Sequence, residues 1–212
     1  MKKLVIFILI IGGIFFLYKQ GIIGGKAGAF DANGDPTTIV YTIDNCPPCE
    51  NAMDYLDYRD ISYEEINISQ DESRQKEFLS YTGGHHAPKI ISGTTVALGD
   101  NKQDILSRLA EAYGMEVLTQ QEEDAMMTHF DEEGYPLAVM YGNNRCGYVK
   151  QAREYFNSQG VEFLDLNINT PGDASTHYTV LKGSGTPLIY FGYRRISGFN
   201  KSEIDKAIKE LL

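Results

Sequence analysis

The sequence predicts an α/β protein: two tandem copies of one βαβαββα unit, preceded by an N-terminal transmembrane helix. Three observations carry this. Residues 37–114 and 136–212 repeat one another at a spacing of 99 to 100 residues. Within each copy the apolar pattern switches between strand-like and helix-like periods. The hydrophobic fraction of 42% and charged fraction of 23% are those of an ordinary folded chain.

The repeat fixes the elements in order. "IVYTIDNC" and "AVMYGNNRC" each place a tyrosine, Tyr41 and Tyr141, five residues before a cysteine, Cys46 and Cys146. β-branched and apolar residues make these segments strands, Thr38 to Tyr41 and Leu137 to Tyr141. A helix follows each cysteine, with Ala52, Met53 and Leu56 on one face in the first copy and Val149, Ala152, Tyr155 and Phe156 in the second. "SYEEINI" and "VEFLDLNI" read as the next strands, parallel to the first and joined to them by the helical crossover. A polar helix comes next, near Asp71 to Tyr81 and near Ala174 to Leu181. "APKIISG" and "TPLIYFG" then open a strand at Pro88 and Pro187, and "GDNKQDI" and "GFNKSEI" lead through Gly99 and Gly198 into a last helix, Lys102 to Tyr113 and Lys201 to Leu212.

Three stretches lie outside the repeat. Leu4 to Tyr18 is uncharged behind the basic start "MKK" and would span about 22 Å as a helix; carried to Gly25 it reaches about 33 Å, with Lys19 snorkelling. Residues 1–25 are therefore expected to be an anchor holding the domains on the extracytoplasmic side. The alternative is a signal cleaved near Ala29, where "AGA" offers small residues and the product is secreted. Residues 26–36 read as a flexible tether. Residues 115–135 carry seven acidic side chains and no lysine or arginine, and read either as an acidic helix continuing the first copy or as a solvated linker. The net charge of -10 gives no footprint for a nucleic-acid partner, and three cysteines are too few for a disulfide scaffold.

The residues that carry chemistry are "CPPC", Cys46 to Cys49. The spacing suits a redox dithiol, half of a zinc site or a buried structural pair. Zinc needs four ligands, and without a second C-x-x-C only His85 and His86 could complete the set.

A strand, a C-x-x-C at a helix start, a βαβ unit, an X-Pro strand and a glycine turn together resemble the glutaredoxin branch of the thioredoxin superfamily. The matching residues are "CPPC" and "HHAPKI" in the first copy, and "CGYV", "GTPLIYFG" and "GFN" in the second. The resemblance implies two thioredoxin-like domains and a thiol-disulfide oxidoreductase. It implies that Pro88 and Pro187 are cis and lie against the cysteine loops. Substrate then docks along Ala87 and Pro88, and along Thr186 and Pro187. The implied partners are protein disulfides and an electron donor, either a thiol or a membrane reductase. No cofactor is expected. The family grips glutathione with a lysine before the first cysteine, a Thr or Val before the cis-proline and a Gly-Gly turn; this chain has no lysine from Tyr41 to Asn45, Ala87 before Pro88, and Gly99 alone.

A helix N-terminus stabilises a thiolate, so Cys46 is the expected nucleophile and Cys49, one turn on, the resolving thiol. Pro47 and Pro48 remove two N–H donors, and Asp44 and Glu50 oppose negative charge on sulfur. His85 and His86 either offset this when protonated or are exposed loop residues. The couple is expected to be reducing. In the second copy Val149 stands at the resolving position. Cys146 then belongs to a docking scaffold, a monothiol site, or a cluster site of the kind that usually reads C-G-F-S. Arg145 is expected to favour its thiolate. The contrasting reading of the whole chain is a non-catalytic, membrane-tethered adaptor.

Overall fold

The structure, a computed structural model, describes residues 28–211. The apolar segment 4–25 and the anchor or signal expected of it lie outside these residues. Among the described residues no helix is long and apolar enough to cross a membrane.

The chain divides into two compact units after Ile105. The first contains β1 (Thr38–Thr42), α1 (Pro47–Tyr58), β2 (Glu64–Asn67), α2 (Glu72–Ser80), β3 (Lys89–Ser92) and β4 (Thr95–Leu98). Its sheet has the order β2-β1-β3-β4, with β1 parallel to β2 and antiparallel to β3. Strand alternation sends Tyr41 and Ile91 into a cluster with Ile66, Ile68, Phe78 and Tyr81 on the α2 side, while Val40 and Ile90 are buried on the opposite face.

The division falls inside α3 (Lys102–Tyr113). Within the second unit, Ser107 Oγ donates to Tyr193 O at 2.8 Å and accepts from Arg195 N at 3.0 Å. Glu111 pairs with Arg194 at 2.8 Å. The unit continues with α4 (Gln120–Met126), β5 (Ala138–Gly142), α5 (Gly147–Gln159), β6 (Phe163–Asn167), α6 (Asp173–Val180), β7 (Leu188–Phe191), β8 (Arg194–Ser197) and α7 (Lys201–Leu211). Its sheet, β6-β5-β7-β8, has the order and directions of the first. Ala138 and Met140 face a cluster with Val149, Ala152, Phe156, Ile204 and Ala207; Val139 and Tyr141 face Ala125, Met126, Leu181 and Tyr190.

Residues 115–135 contain a helix with acidic residues, α4, which belongs to the second unit rather than continuing the first copy. Thr119 caps α4 through a reciprocal box with Glu122, and Ala125, Met126 and His129 are buried in the second unit. The acidic side chains are the solvated face of an element whose apolar face is core. The tether expected at 26–36 is also folded where it is described. Ala29 is buried and bridges Gly93, and Phe30 bridges Pro36 as Phe130 bridges Pro136. Asp31 N bonds Asp35 O at 2.9 Å and Thr37 N bonds Ala29 O at 2.9 Å, matched by Asp131 N on Tyr135 O at 3.0 Å and Leu137 N on His129 O at 2.8 Å. The repeat therefore begins upstream of residue 37, with "FDANGDP" answering "FDEEGYP".

His129 has a measurable consequence. Its ring stacks on Tyr190 with centroids 4.4 Å apart, and its nitrogens meet Tyr141 Oη at 2.9 Å and Met126 Sδ at 3.0 Å. Burial, then the charge of His177, pushes its pKa down to about 3. An unfolded chain takes up this proton near pH 6.5, so between the two values the unfolded state binds more protons. The contribution is complete above pH 6.5 and is lost as pH falls toward 3, at about 1 kcal/mol per pH unit inside that window. Denaturant titrations from pH 4 to 7 should show this slope, and His129→Gln should flatten it.

Candidate functional site

Cys46 caps α1, and Pro47 and Pro48 occupy its first two positions, where proline's fixed φ suits a helix start. Cys46 and Cys49 are joined as a disulfide. With two prolines in between, Cys49 is the first residue of α1 with an amide proton; its N–H reaches Cys46 Sγ at 3.2 Å. Both residues are buried, Cys46 at 9% exposure less deeply than Cys49 at 2%.

Pairing of Tyr41 with Lys89 brings the start of β3 level with the end of β1, which runs into the cysteine loop. The Ala87–Pro88 bond is cis, with Ala87 half-buried and Pro88 buried. Pro88 O accepts from Gly99 N at 2.9 Å, and Asp100 in the same turn accepts from Asn51 Nδ2 at 2.9 Å. One end of the sheet thus collects the disulfide, the cis-proline and the glycine turn. Asp44 is exposed and accepts from Asn67 Nδ2 at 2.9 Å and Gln70 Nε2 at 3.0 Å. Glu50 is exposed in the first turn of α1. His85 and His86 are both exposed and form no side-chain hydrogen bond to the sulfurs; His86 Nε2 lies over Gly99. Among the described residues no three His, Cys, Asp or Glu side chains are grouped to hold a metal ion.

Beneath the loop leading to Pro88 lies a residue that sequence reasoning missed. Lys89 is fully buried, its Nζ donating to Phe78 O at 2.7 Å, Gly84 O at 2.9 Å and Tyr81 O at 3.4 Å, and lying 3.9 Å from the Phe78 ring centre. These carbonyls belong to the end of α2 and the loop leading to Pro88, acceptors that a helix end cannot satisfy alone. Desolvation lowers the Lys89 pKa. In the second unit Leu188 stands at the equivalent place, and Arg195 from β8 donates instead to Leu181 O at 2.8 Å and Lys182 O at 3.4 Å.

The second unit repeats the frame around Cys146. The Thr186–Pro187 bond is cis, with Thr186 half-buried and Pro187 buried. Cys146 is free and half-buried, and its thiol donates to Thr186 O at 3.2 Å. Its pKa lies below the ordinary thiol value, held down by the Thr186 side chain and then by the Val149 and Tyr148 N–H groups at the α5 start. The guanidinium of Arg145, which the sequence suggests as the cause, is not; Arg145 is exposed and its backbone N–H bonds Asn143 Oδ1 at 3.0 Å. Val149 is fully buried, and a Cβ on Gly142 would lie 2.8 Å from its nearest methyl. Val149→Cys should turn this unit into a dithiol: mass spectrometry after mild oxidation should show the loss of two hydrogens and protection of Cys146 from alkylation.

A helix-capping disulfide beside a cis-proline, on a four-stranded sheet with one parallel and two antiparallel pairings, defines a thioredoxin-superfamily dithiol domain. The Glutaredoxin family profile matches residues 38–96. Over 75 residues the chain is 33% identical to a glutaredoxin-like 8.6 kDa protein in the rubredoxin operon of Clostridium pasteurianum, covering 35% of this chain and 100% of that one. Over 83 residues it is 43% identical to Glutaredoxin 1 of Rickettsia conorii, covering 35% of this chain and 81% of that one. A glutaredoxin crystal structure from Archaeoglobus fulgidus aligns with 23% identity and a TM-score of 0.33 over 36% of this chain and 89% of that one. The chain belongs to the glutaredoxin family.

Proposed function

We propose that this protein is a thiol-disulfide oxidoreductase that reduces or isomerises protein disulfides through Cys46 and Cys49. The observation that carries the reading is the Cys46–Cys49 pair at the N-terminus of α1, with Cys46, the less buried residue, as the helix cap. In the reduced form Cys46 attacks a substrate disulfide and one substrate thiolate leaves. Cys49 then attacks Cys46 Sγ, the second substrate thiolate leaves, and the Cys46–Cys49 bond re-forms. An external thiol or membrane reductase returns two electrons. The pre-reduced full chain should reduce insulin disulfides, and Cys46→Ser should not; equal rates would leave the adaptor reading.

The second unit serves docking or monothiol chemistry in this scheme. Burial of Val149 supports docking, and the lowered Cys146 pKa supports a mixed disulfide. Tethering through residues 4–25 and an extracytoplasmic location are part of the proposal and rest on the apolar sequence there. Burial of Ala29 against Gly93 favours the anchor over cleavage at that residue. In intact cells, Cys146 should react with a membrane-impermeant maleimide if the domains face outward.

A further inference from the structure

The face around Cys46 is uneven in charge. Asp44 lies two residues before the nucleophile, and Glu50 sits in the first turn of α1, both exposed. Asp100 is brought beside that turn by its bond to Asn51, and its charge is not cancelled there, since Asn51 is neutral. Among the described residues, no ion pair joins a cation of the first unit to Asp44, Glu50 or Asp100. Lys89 is buried under the sheet, Arg59 is at the far end of α1, Arg74 bonds Glu77 at 2.6 Å, and Lys102 Nζ lies 5.7 Å from the Tyr55 ring centre. Lys76 is on α2. Ile43, next to Asp44, is 41% exposed, and Pro47 and Pro48, between Asp44 and Glu50 in the chain, are also exposed. An apolar strip flanking the reactive sulfur suits a polypeptide segment better than a small hydrophilic thiol.

We propose that Asp44, Glu50 and Asp100 select the substrate by charge, directing the Cys46 site to disulfides in extended polypeptide segments flanked by lysine or arginine and away from anionic disulfides. The proposal rests on the oxidoreductase reading above and names its substrate class. The exchange is unchanged: the Cys46 thiolate forms a bond to one substrate sulfur and expels the other, and Cys49 displaces the second substrate thiolate. The carboxylates touch none of the reacting atoms. They raise the local concentration of a cationic partner, an effect that clefts of one charge sign produce by about tenfold or more and that salt removes.

The test uses two fluorescence-quenched peptide homodimers of one apolar sequence, each joined by a single disulfide, flanked either by lysines or by glutamates. Second-order reduction rates by the pre-reduced full chain are divided by those of uncharged 2-mercaptoethanol, which removes the difference in leaving-group reactivity between the peptides. The expected normalised ratio favours the lysine peptide about tenfold at low salt. It should fall close to unity at about 1 M salt, where the Debye length is about 3 Å. The triple variant Asp44→Asn, Glu50→Gln, Asp100→Asn should remove most of the preference. Because each ratio compares two substrates of one enzyme, a change in Cys46 nucleophilicity cancels. Equal rates for the two peptides, a preference for the glutamate peptide, or a preference that survives the triple variant would overturn the charge proposal alone. No reduction of either peptide would overturn the oxidoreductase reading itself, and the charge proposal with it.

Discussion

Replacing Cys49 with serine is expected to leave Cys46 covalently joined to its substrates. Cys46 is the less buried of the two residues and caps α1, so an incoming disulfide is expected to meet it first. Release then requires a second thiolate one helical turn away, and serine cannot supply it. Mixed disulfides should accumulate in Cys49→Ser and collapse on treatment with dithiothreitol. Cys46→Ser should trap nothing through this site and should lose reductase activity by at least about 10³-fold, the scale on which loss of an attacking group is felt. Non-reducing electrophoresis of alkylated extracts separates the two variants. Equal trapping by both would reverse the assignment of nucleophile and resolving thiol.

The second large effect concerns redox poise. A dithiol is a strong oxidant when the protein stabilises its reduced form, chiefly by holding the nucleophile as a thiolate. Here that stabilisation is thin. The prolines at the first two positions of α1 leave Cys49 N–H as the first amide of the helix able to face the sulfur. Asp44 and Glu50 add negative charge nearby, and the exposed histidines form no hydrogen bond to it. The second unit shows the contrast: with Gly147 and Tyr148 in place of the prolines, Cys146 gains help from the Tyr148 and Val149 amides. The Cys46–Cys49 couple should therefore lie at roughly -270 to -200 mV, well below the roughly -120 mV of a strong oxidant. Equilibration with a glutathione redox buffer, followed by alkylation and mass analysis, measures it. Lysine at position 44 or 50 should raise the potential. A value above about -150 mV would reject the reductase reading.

The order of elements and the position of the dithiol were legible in the sequence because they rest on local signals that both copies share. Cysteine, proline and glycine carry backbone and chemical constraints that few substitutes meet, so the repeat keeps them aligned. Burial of polar side chains was not legible. Lys89 begins a strand and looks like an ordinary exposed end, yet three carbonyls from residues 5 to 11 positions away fold over it. His129 sits in an acidic stretch that reads as solvated, because composition reports the outward face and not the inward one. The turn at 29–36 was hidden for a related reason: glycine and alanine suggest flexibility when backbone pairing to Gly93 is not visible. Cys146 shows a different limit. Its neighbour in sequence, Arg145, is charged, but the group that acts on the sulfur is Thr186, 40 residues away.

The exchange of Lys89 for Arg195 constrains how the two copies diverged. Each cation bonds carbonyls where its helix ends, Lys89 those of Phe78, Tyr81 and Gly84 and Arg195 those of Leu181 and Lys182, but one enters from β3 and the other from β8, at positions where the opposite copy has Leu188 and Val96. A lineage moving between these arrangements must pass through a single-substitution ancestor. With neither cation, buried carbonyls go unmet at about 1–3 kcal/mol each; with both, two like charges share one pocket. The two positions are therefore epistatic: a cation at one is tolerated where the other is apolar. Lys89→Leu alone should be poorly tolerated, whereas Lys89→Leu with Val96→Arg should recover much of the lost stability, grafting one copy's historical solution onto its sibling.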